Sequence, residues 1–423
     1  MATTDRSTDA TSALELESAG FVRVIARRDG DALAASGVLA RALADAAIPF
    51  QVSVASTVQE RTARATGGAE PREDELTLVV GSSEASSDRV EHLETDDRPV
   101  SLLACEHARE LGAEPDPVLA LAGSFAAGVE PGAGETEWLL ESATDRGLLT
   151  QRGGVATPTD DLADALAHTT ACRGPWSGDL EAAREAIDAL EATDDSDGID
   201  PRRFASLLAL DVVGCANATT RGATAVGRLL RPYGTPEGPF ETLGGYADVL
   251  EATARDAPGI GVALAMGTGG DRTLEAALEC WREHGLRTHE AFDTASTRRY
   301  DGLFVVSVDG EAAVDTGPDA YDGTLETVAR LTADYRSPEP VVLAIGSAQA
   351  AIATLDGRSL ETDLETIARD LESEGTLEAG VDYDVGVSGG IVRFGSESFG
   401  DGGDGERGGG DESTIIAAVR RAL

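Results

Sequence analysis

No lysine occurs in the 423 residues, and all 34 basic residues are arginine. Set against 76 aspartates and glutamates, they leave a net charge of −42. Exposed carboxylates at that density repel one another across the surface and cost stability in dilute buffer. Molar salt shortens the screening length to about 3 Å and removes that cost. The balance therefore fits a halophile's cytoplasm and says little about partners. Long apolar runs are also missing: 41% of residues are hydrophobic, yet no stretch nears the ~18 needed for a membrane-crossing helix. The opening residues, MATTDRSTDATSALELES, are polar and acidic, unlike a secretory signal. A globular, cytoplasmic protein with no membrane contact is the expectation. Aromatic residues make up only 4%, too few for a visible base-stacking surface. The four cysteines, Cys105, Cys172, Cys215 and Cys280, form no CxxC pair and are expected to be buried small residues, so neither a zinc site nor a disulfide framework is supported. The histidines, His92, His107, His168, His284 and His289, are dispersed along the chain.

Against these absences stands one informative segment, residues 21–54, FVRVIARRDGDALAASGVLARALADAAIPFQVSV. Phe21, Val22, Val24, Ile25 and Ala26 make an apolar run of strand length, and residues 27–31 a charged turn. Ala34, Val38, Leu39, Ala42 and Leu43 then recur at helical spacing, and a second strand begins near Ile48. Asp29 and Asp31 thus lie at the carboxyl end of a first strand, where open α/β sheets place ligands. Two carboxylates there can hold a divalent cation.

The spacing resembles the first motif of the DHH phosphoesterases, the superfamily of RecJ-like exonucleases, in which His-x-Asp-x-Asp-Gly follows the first strand and ligates manganese or magnesium. Asp29 and Asp31 match the two aspartates, Arg27 stands in the histidine's place and Ala32 in the glycine's. Further motifs of the family are missing. The strand at 75–80, ELTLVV, ends in Gly81 and Ser82 where an aspartate is expected. The stretch 90–99, VEHLETDDRP, offers His92 and Asp96-Asp97 but no Asp-His-His. Helices are expected over 99–112, with His107 half-buried on it, and over 117–129, after which Glu130 stands near the place of a fourth metal-binding aspartate. The resemblance covers roughly residues 20–420.

Residues 61–75 read as a polar connection, and helical patterns continue over 137–149, 160–168 and 180–190 into the acidic linker EATDDSD. From Pro201 the chain is again helical. Leu250, Ala252 and Arg255 resemble a helix joining the two lobes of archaeal RecJ-like proteins, followed by an expected strand at 259–266 and a helix at 274–284. A strand pair is expected around a turn at Asp309-Gly310, then a helix over 321–331, strands at 340–345 and 350–355, and a helix over 360–371. This end resembles the DHHA1 lobe, whose Gly-Gly-His segment cradles nucleic-acid backbone because glycines let main-chain amides approach phosphate. Gly389-Gly390 and Gly408-Gly409-Gly410 are the candidates here, both without the histidine, and Arg393 is a candidate phosphate partner.

The expected fold is α/β: a two-lobed protein with a DHH-type parallel-sheet domain (18–195) after a polar tail (1–17), a helical connecting region (196–295) and a smaller DHHA1-type α/β domain (296–423). Function is less direct, because it lives in the site. Two cations about 3.5 to 4 Å apart need ligands from several motifs. This chain keeps one of them in part, and a guanidinium at Arg27 cannot ligate metal. The preferred reading is a catalytically inactive RecJ-like protein needing no cofactor. It would be a scaffold or nucleic-acid-binding subunit in DNA replication or repair or RNA processing, with a protein partner that the resemblance implies to be a GINS-like replication complex. The alternative is an active single-strand exonuclease with an altered Mn2+ or Mg2+ site at Asp29 and Asp31. Single-stranded nucleic acid would meet Arg27, Gly389, Gly390 and Arg393, or an arginine cluster at Arg221, Arg228 and Arg231.

Overall fold

The computed structural model describes residues 16, 18–67, 74–94, 98–192, 199–215, 219–308, 323–355, 360–373, 380–386, 389–394 and 409–422. Its elements begin with β1 (Phe21–Ala26), α1 (Gly30–Asp45), β2 (Phe50–Val54), α2 (Val58–Thr66), β3 (Glu75–Val80), β4 (Val90–Leu93), α3 (Val100–Glu110), α4 (Pro117–Ala126) and α5 (Glu137–Asp145). They continue with β5 (Thr150–Gln151), α6 (Leu162–His168), α7 (Leu180–Glu191), α8 (Pro201–Gly214), α9 (Thr220–Leu229), β6 (Tyr233–Gly234), α10 (Leu243–Asp256), α11 (Pro258–Ala265) and α12 (Asp271–Thr294). The last are β7 (Ser296–Tyr300), β8 (Leu303–Ser307), α13 (Leu325–Tyr335), β9 (Val341–Ile345), β10 (Gln349–Thr354), α14 (Glu361–Ser373), β11 (Val381–Val385), β12 (Gly389–Phe394) and α15 (Gly409–Ala422). They form two compact units, Met1–Ala165 with Leu229–Trp281, and Leu166–Arg228 with Arg282–Leu423.

The first unit is built on a parallel sheet of order β2-β1-β3-β4. Val24, Ile25 and Ala26 of β1 and Leu78, Val79 and Val80 of β3 are all buried, as strands covered on both faces require. The chain leaves β1 to one side for β2 and returns on the other for β3. The carboxyl ends of β1 and β3 therefore flank a topological switch point, the usual place of a crevice in such sheets. Helix α1 packs against α3, α4, α10 and α11. These contacts are close: a Cβ on Gly37 would lie 2.6 Å from the Ala265 carbonyl oxygen, and one on Gly123 2.5 Å from Ala34 Cβ. Only glycine fits at either crossing, and the resulting tight packing fixes where α1 begins.

Two local expectations are corrected here. The run 259–266 is helical, as α11, rather than a strand; periodicity does not separate a short apolar strand from a buried helix, and Pro258 at the first helical position sets the helical φ. Residues 61–75 are not simply a connection, because α2 extends to Thr66 and carries a fully buried Arg61. A hairpin turn at Asp301-Gly302, with Gly302 at φ +78°, joins β7 and β8. Asp309 and Gly310 lie outside the described residues, as do Asp96, Asp97 and the run 400–408.

The second unit holds a six-stranded mixed sheet, β11-β12-β10-β9-β8-β7, in which β8 and β9 are the parallel pair. Helix α13 packs on β9 and β10, and α14 on β11. Two more expectations change in this unit. Cys215 is exposed while the other cysteines are buried. His168, His284 and His289 are all buried, and His289 feels the other two. Arg173 donates to His289 Nδ1 at 3.0 Å. An arginine can only donate, so Nε2 carries the proton and donates to the Thr169 carbonyl at 3.0 Å.

Candidate functional site

The β1–α1 turn places Arg27, Asp29 and Asp31 in the crevice of the first unit. Asp29 is the N-cap of α1: its Oδ1 accepts from Ala32 N at 2.8 Å, while Oδ2 accepts from Arg27 Nε. Burial pushes the Asp29 carboxyl up, but the Arg27 guanidinium, the Ala32 amide and Arg255 outweigh it and hold the group below its ordinary value. It stays ionised and paired with arginine.

Asp31, in the first turn of α1, is 3% exposed and points across to α3. Its Oδ2 accepts from Val100 N at 2.7 Å and its Oδ1 from Ser101 N at 3.1 Å. Pro99, the residue at the N-cap position of α3, offers no side-chain cap, so Asp31 supplies from a distance the anion that a helix N-terminus favours. Burial and the neighbouring Asp29 carboxylate push its carboxyl up to about 6, against the pull of Ser101 and Val100.

Opposite the aspartates, Gly81 ends β3 with φ +109°, and a Cβ there would lie 3.1 Å from Arg27 Cβ. The Arg27 stem thus runs over the place where a third-strand aspartate side chain would project. Ser82 Oγ pairs with Glu94, and the Ser82 carbonyl accepts from the buried Arg61 Nε at 2.7 Å. Glu251 of α10 closes the remaining side. Its Oε2 accepts from Gly30 N at 2.8 Å and its Oε1 from Arg255 Nε at 2.8 Å. Sequence reasoning picked out Leu250, Ala252 and Arg255 but passed over Glu251 and Arg61; the Glu-x-x-x-Arg spacing of 251 and 255 was the available signal for the first.

As it stands, this donor set does not fit a divalent cation. All four oxygens of Asp29 and Asp31 already accept from protein N–H groups. A fixed guanidinium occupies the centre of the crevice. Among the described residues, no group of three or more His, Cys, Asp or Glu is placed to hold a metal ion. His92 bonds the Ala85 carbonyl at 3.0 Å and His107 sits half-buried beside Glu110.

The other candidates belong to the second unit, Arg231 excepted. Gly389 opens β12 and pairs with β10, while Gly390 pairs with both β10 and β11. A Cβ on Gly390 would lie 2.2 Å from Leu364 Cδ1 and 2.5 Å from the Asp384 carbonyl oxygen, so its lack of a side chain serves packing. Arg393 is on the same strand, opposite Gln349. Gly409 and Gly410 open α15. Arg221 donates to the carbonyls of Ala333 (2.8 Å) and Ser337, tying α9 to the end of α13.

A parallel sheet with its crevice at the β1/β3 switch point, and a separate mixed sheet, is an α/β fold shared with solved structures. CDC45 from Entamoeba histolytica has this fold at a TM-score of 0.59 and 10% identity, the match covering 98% of this chain and 99% of that one. RecJ from Thermus thermophilus, solved with Mn2+, matches 98% of this chain and 55% of its own, at TM-score 0.49 and 14% identity. Within that fold the chain belongs to the family of the uncharacterized protein rrnAC1427 of Haloarcula marismortui. The two are 42% identical over 385 residues, 90% of this chain and 94% of its relative. Residues 295–421 match the family model of the rrnAC1427 C-terminal domain.

Proposed function

We propose that this protein is a RecJ-like family member that has given up phosphodiester hydrolysis and acts as a scaffold or nucleic-acid-binding subunit. The setting is DNA replication or repair, or RNA processing. The observation that carries the reading is the internal engagement of the crevice carboxylates: Arg27 pairs with Asp29, and Asp31 caps α3. Two-metal hydrolysis needs carboxylate lone pairs open to metal and an open coordination position for water, and here the same groups hold the protein together. The likeness to CDC45 supports a replication setting, and a GINS-like complex is the partner that fits it. At a net charge of −42, long-range attraction to nucleic acid is weak and steeply eroded by salt, which favours a protein as the main contact.

The test is a nuclease assay on end-labelled single-stranded DNA and RNA with Mn2+ or Mg2+ in concentrated KCl, with Asp29→Ala and Asp31→Ala alongside. The expected result is no cleavage that depends on either aspartate. Cleavage abolished by either substitution would return the protein to the active exonucleases.

A further inference from the structure

A second cleft in the first unit, of about 580 Å³, lies towards the opposite end of α1 from Asp29 and is unrelated to the vestigial crevice. Its walls are aliphatic, formed by Pro115, Pro117, Pro239, Leu148, Leu264 and Leu274. The size suits a bound organic group or a few residues of peptide. Tyr246 lines it while only 3% exposed, and its hydroxyl has no hydrogen-bond partner among the described residues. Burial and the Asp116 carboxylate push this phenol up, so it stays a hydroxyl able to donate or accept. Near it, Arg41 pairs with Asp116 at 2.6 Å, and the Arg41 Nε is buried without a partner.

The charges at the rim are informative. Arg41 is balanced by Asp116 and Arg146 by Glu114 at 2.8 Å, which leaves Glu237 without an ion pair among the described residues. A ligand carboxylate would have to displace Asp116 from Arg41 and would meet an uncompensated glutamate. A peptide group suits the cleft better: its carbonyl can accept from Tyr246, its N–H can turn to the Asp116 side, aliphatic side chains fill the proline and leucine walls, and a cation answers Glu237.

We infer that this cleft receives a short aliphatic segment of a partner protein, flanked by a basic residue. The inference deepens the partner-binding reading above and rests on it. Its test is separate from the nuclease assay, so either can fail alone. Fluorescein-labelled, amidated tetrapeptides combining two or three leucines or isoleucines with one arginine or one glutamate are titrated onto the full chain in concentrated KCl, with polarisation as the readout. Arginine-bearing members are expected to bind. Tyr246→Phe should weaken them about five-fold, the loss of one hydrogen bond. Leu264→Trp, which fills the cleft, should weaken them at least about ten-fold, and Glu237→Gln should erase the preference for arginine over glutamate. Each variant's thermal unfolding shows that it is folded. No binding across the array, equal binding by glutamate-bearing peptides, indifference to Leu264→Trp, or hexylamine competing as well as peptide would each overturn the inference; the last would mean a site for small amphiphiles.

Discussion

Replacing Arg27 by alanine removes the guanidinium that pairs with Asp29 and the stem that lies over Gly81. What stays behind is a buried carboxylate with a second one, Asp31, beside it. Breaking a buried pair from one side costs about 3 to 5 kcal/mol, because the remaining charge loses its partner without regaining water. The lower end applies here, since Asp29 keeps the Ala32 amide and feels Arg255. A loss of ~3 kcal/mol would still be a large share of the total stability, ordinarily about 5 to 15 kcal/mol. Urea unfolding at constant KCl of about 3 M, where exposed charges are screened within about 3 Å, isolates the buried pair. The three tryptophans supply the fluorescence signal. Arg369→Ala is the control: the Arg369–Glu365 pair is largely exposed and should change stability by no more than ~0.5 kcal/mol. Asp29→Ala and the double variant complete a cycle with an expected coupling of at least about 2 kcal/mol. A cost for Arg27→Ala below about 1 kcal/mol, or a coupling near zero, would refute the view that Arg27 holds the crevice together.

Other consequences can be measured on the same footing. His289 is drawn down to about 3 by burial and by Arg173, from an ordinary 6.5. The unfolded chain therefore binds the extra proton first, and stability falls as pH drops below 6.5, by about 2 kcal/mol from pH 7 to pH 5; in His289→Gln that fall should shrink by the same amount. Asp31 acts in the other sense. Its carboxyl rises from 3.8 to about 6 on folding, so its contribution is greatest in acid and is lost as pH rises to 6. The cost of Asp31→Asn, from urea midpoints, should be about 2 kcal/mol larger at pH 4 than at pH 7. Gly390→Ala should destabilise by about 1 to 3 kcal/mol by overpacking, since the new methyl meets the Asp384 backbone, and it should do so with or without nucleic acid present. An unchanged midpoint would reopen the glycine pair as a phosphate cradle.

How far the sequence carried the reading depends on what each residue had to do. The β1-α1-β2 unit was legible because its strand run and its helical periodicity are both local signals. The end of β3 just before Gly81 and Ser82 was legible too, because a strand end can be counted from its apolar run. What no local pattern could supply was the reach of Asp31 to α3, a contact across 69 residues. Glu251 reaches Gly30 across 221 residues, and Arg61 is buried in a stretch whose composition looked solvated. The three histidines seemed scattered for the same reason: His168 and His289 are brought together only by tertiary packing.

These contacts also explain what the residues of the β1–α1 turn do. Both Asp29 and Asp31 have structural work: one caps α1, the other caps α3. Each cap is worth roughly 1 kcal/mol, and the two tie the β1–α1 turn to the next layer of helices. An aspartate side chain at Gly81 would run into Arg27, and the φ of +109° there favours glycine. A histidine at Arg27 would leave Asp29 without its strongest partner. The residues at 27 and 81 fit one another: the guanidinium supplies positive charge beside Asp29, and the glycine supplies its space. Arginine serves where lysine would not, because its planar fork is weakly hydrated and fully charged even when buried. The Arg27–Asp29 pair and the Asp31 cap thus hold the crevice together through groups of the chain itself.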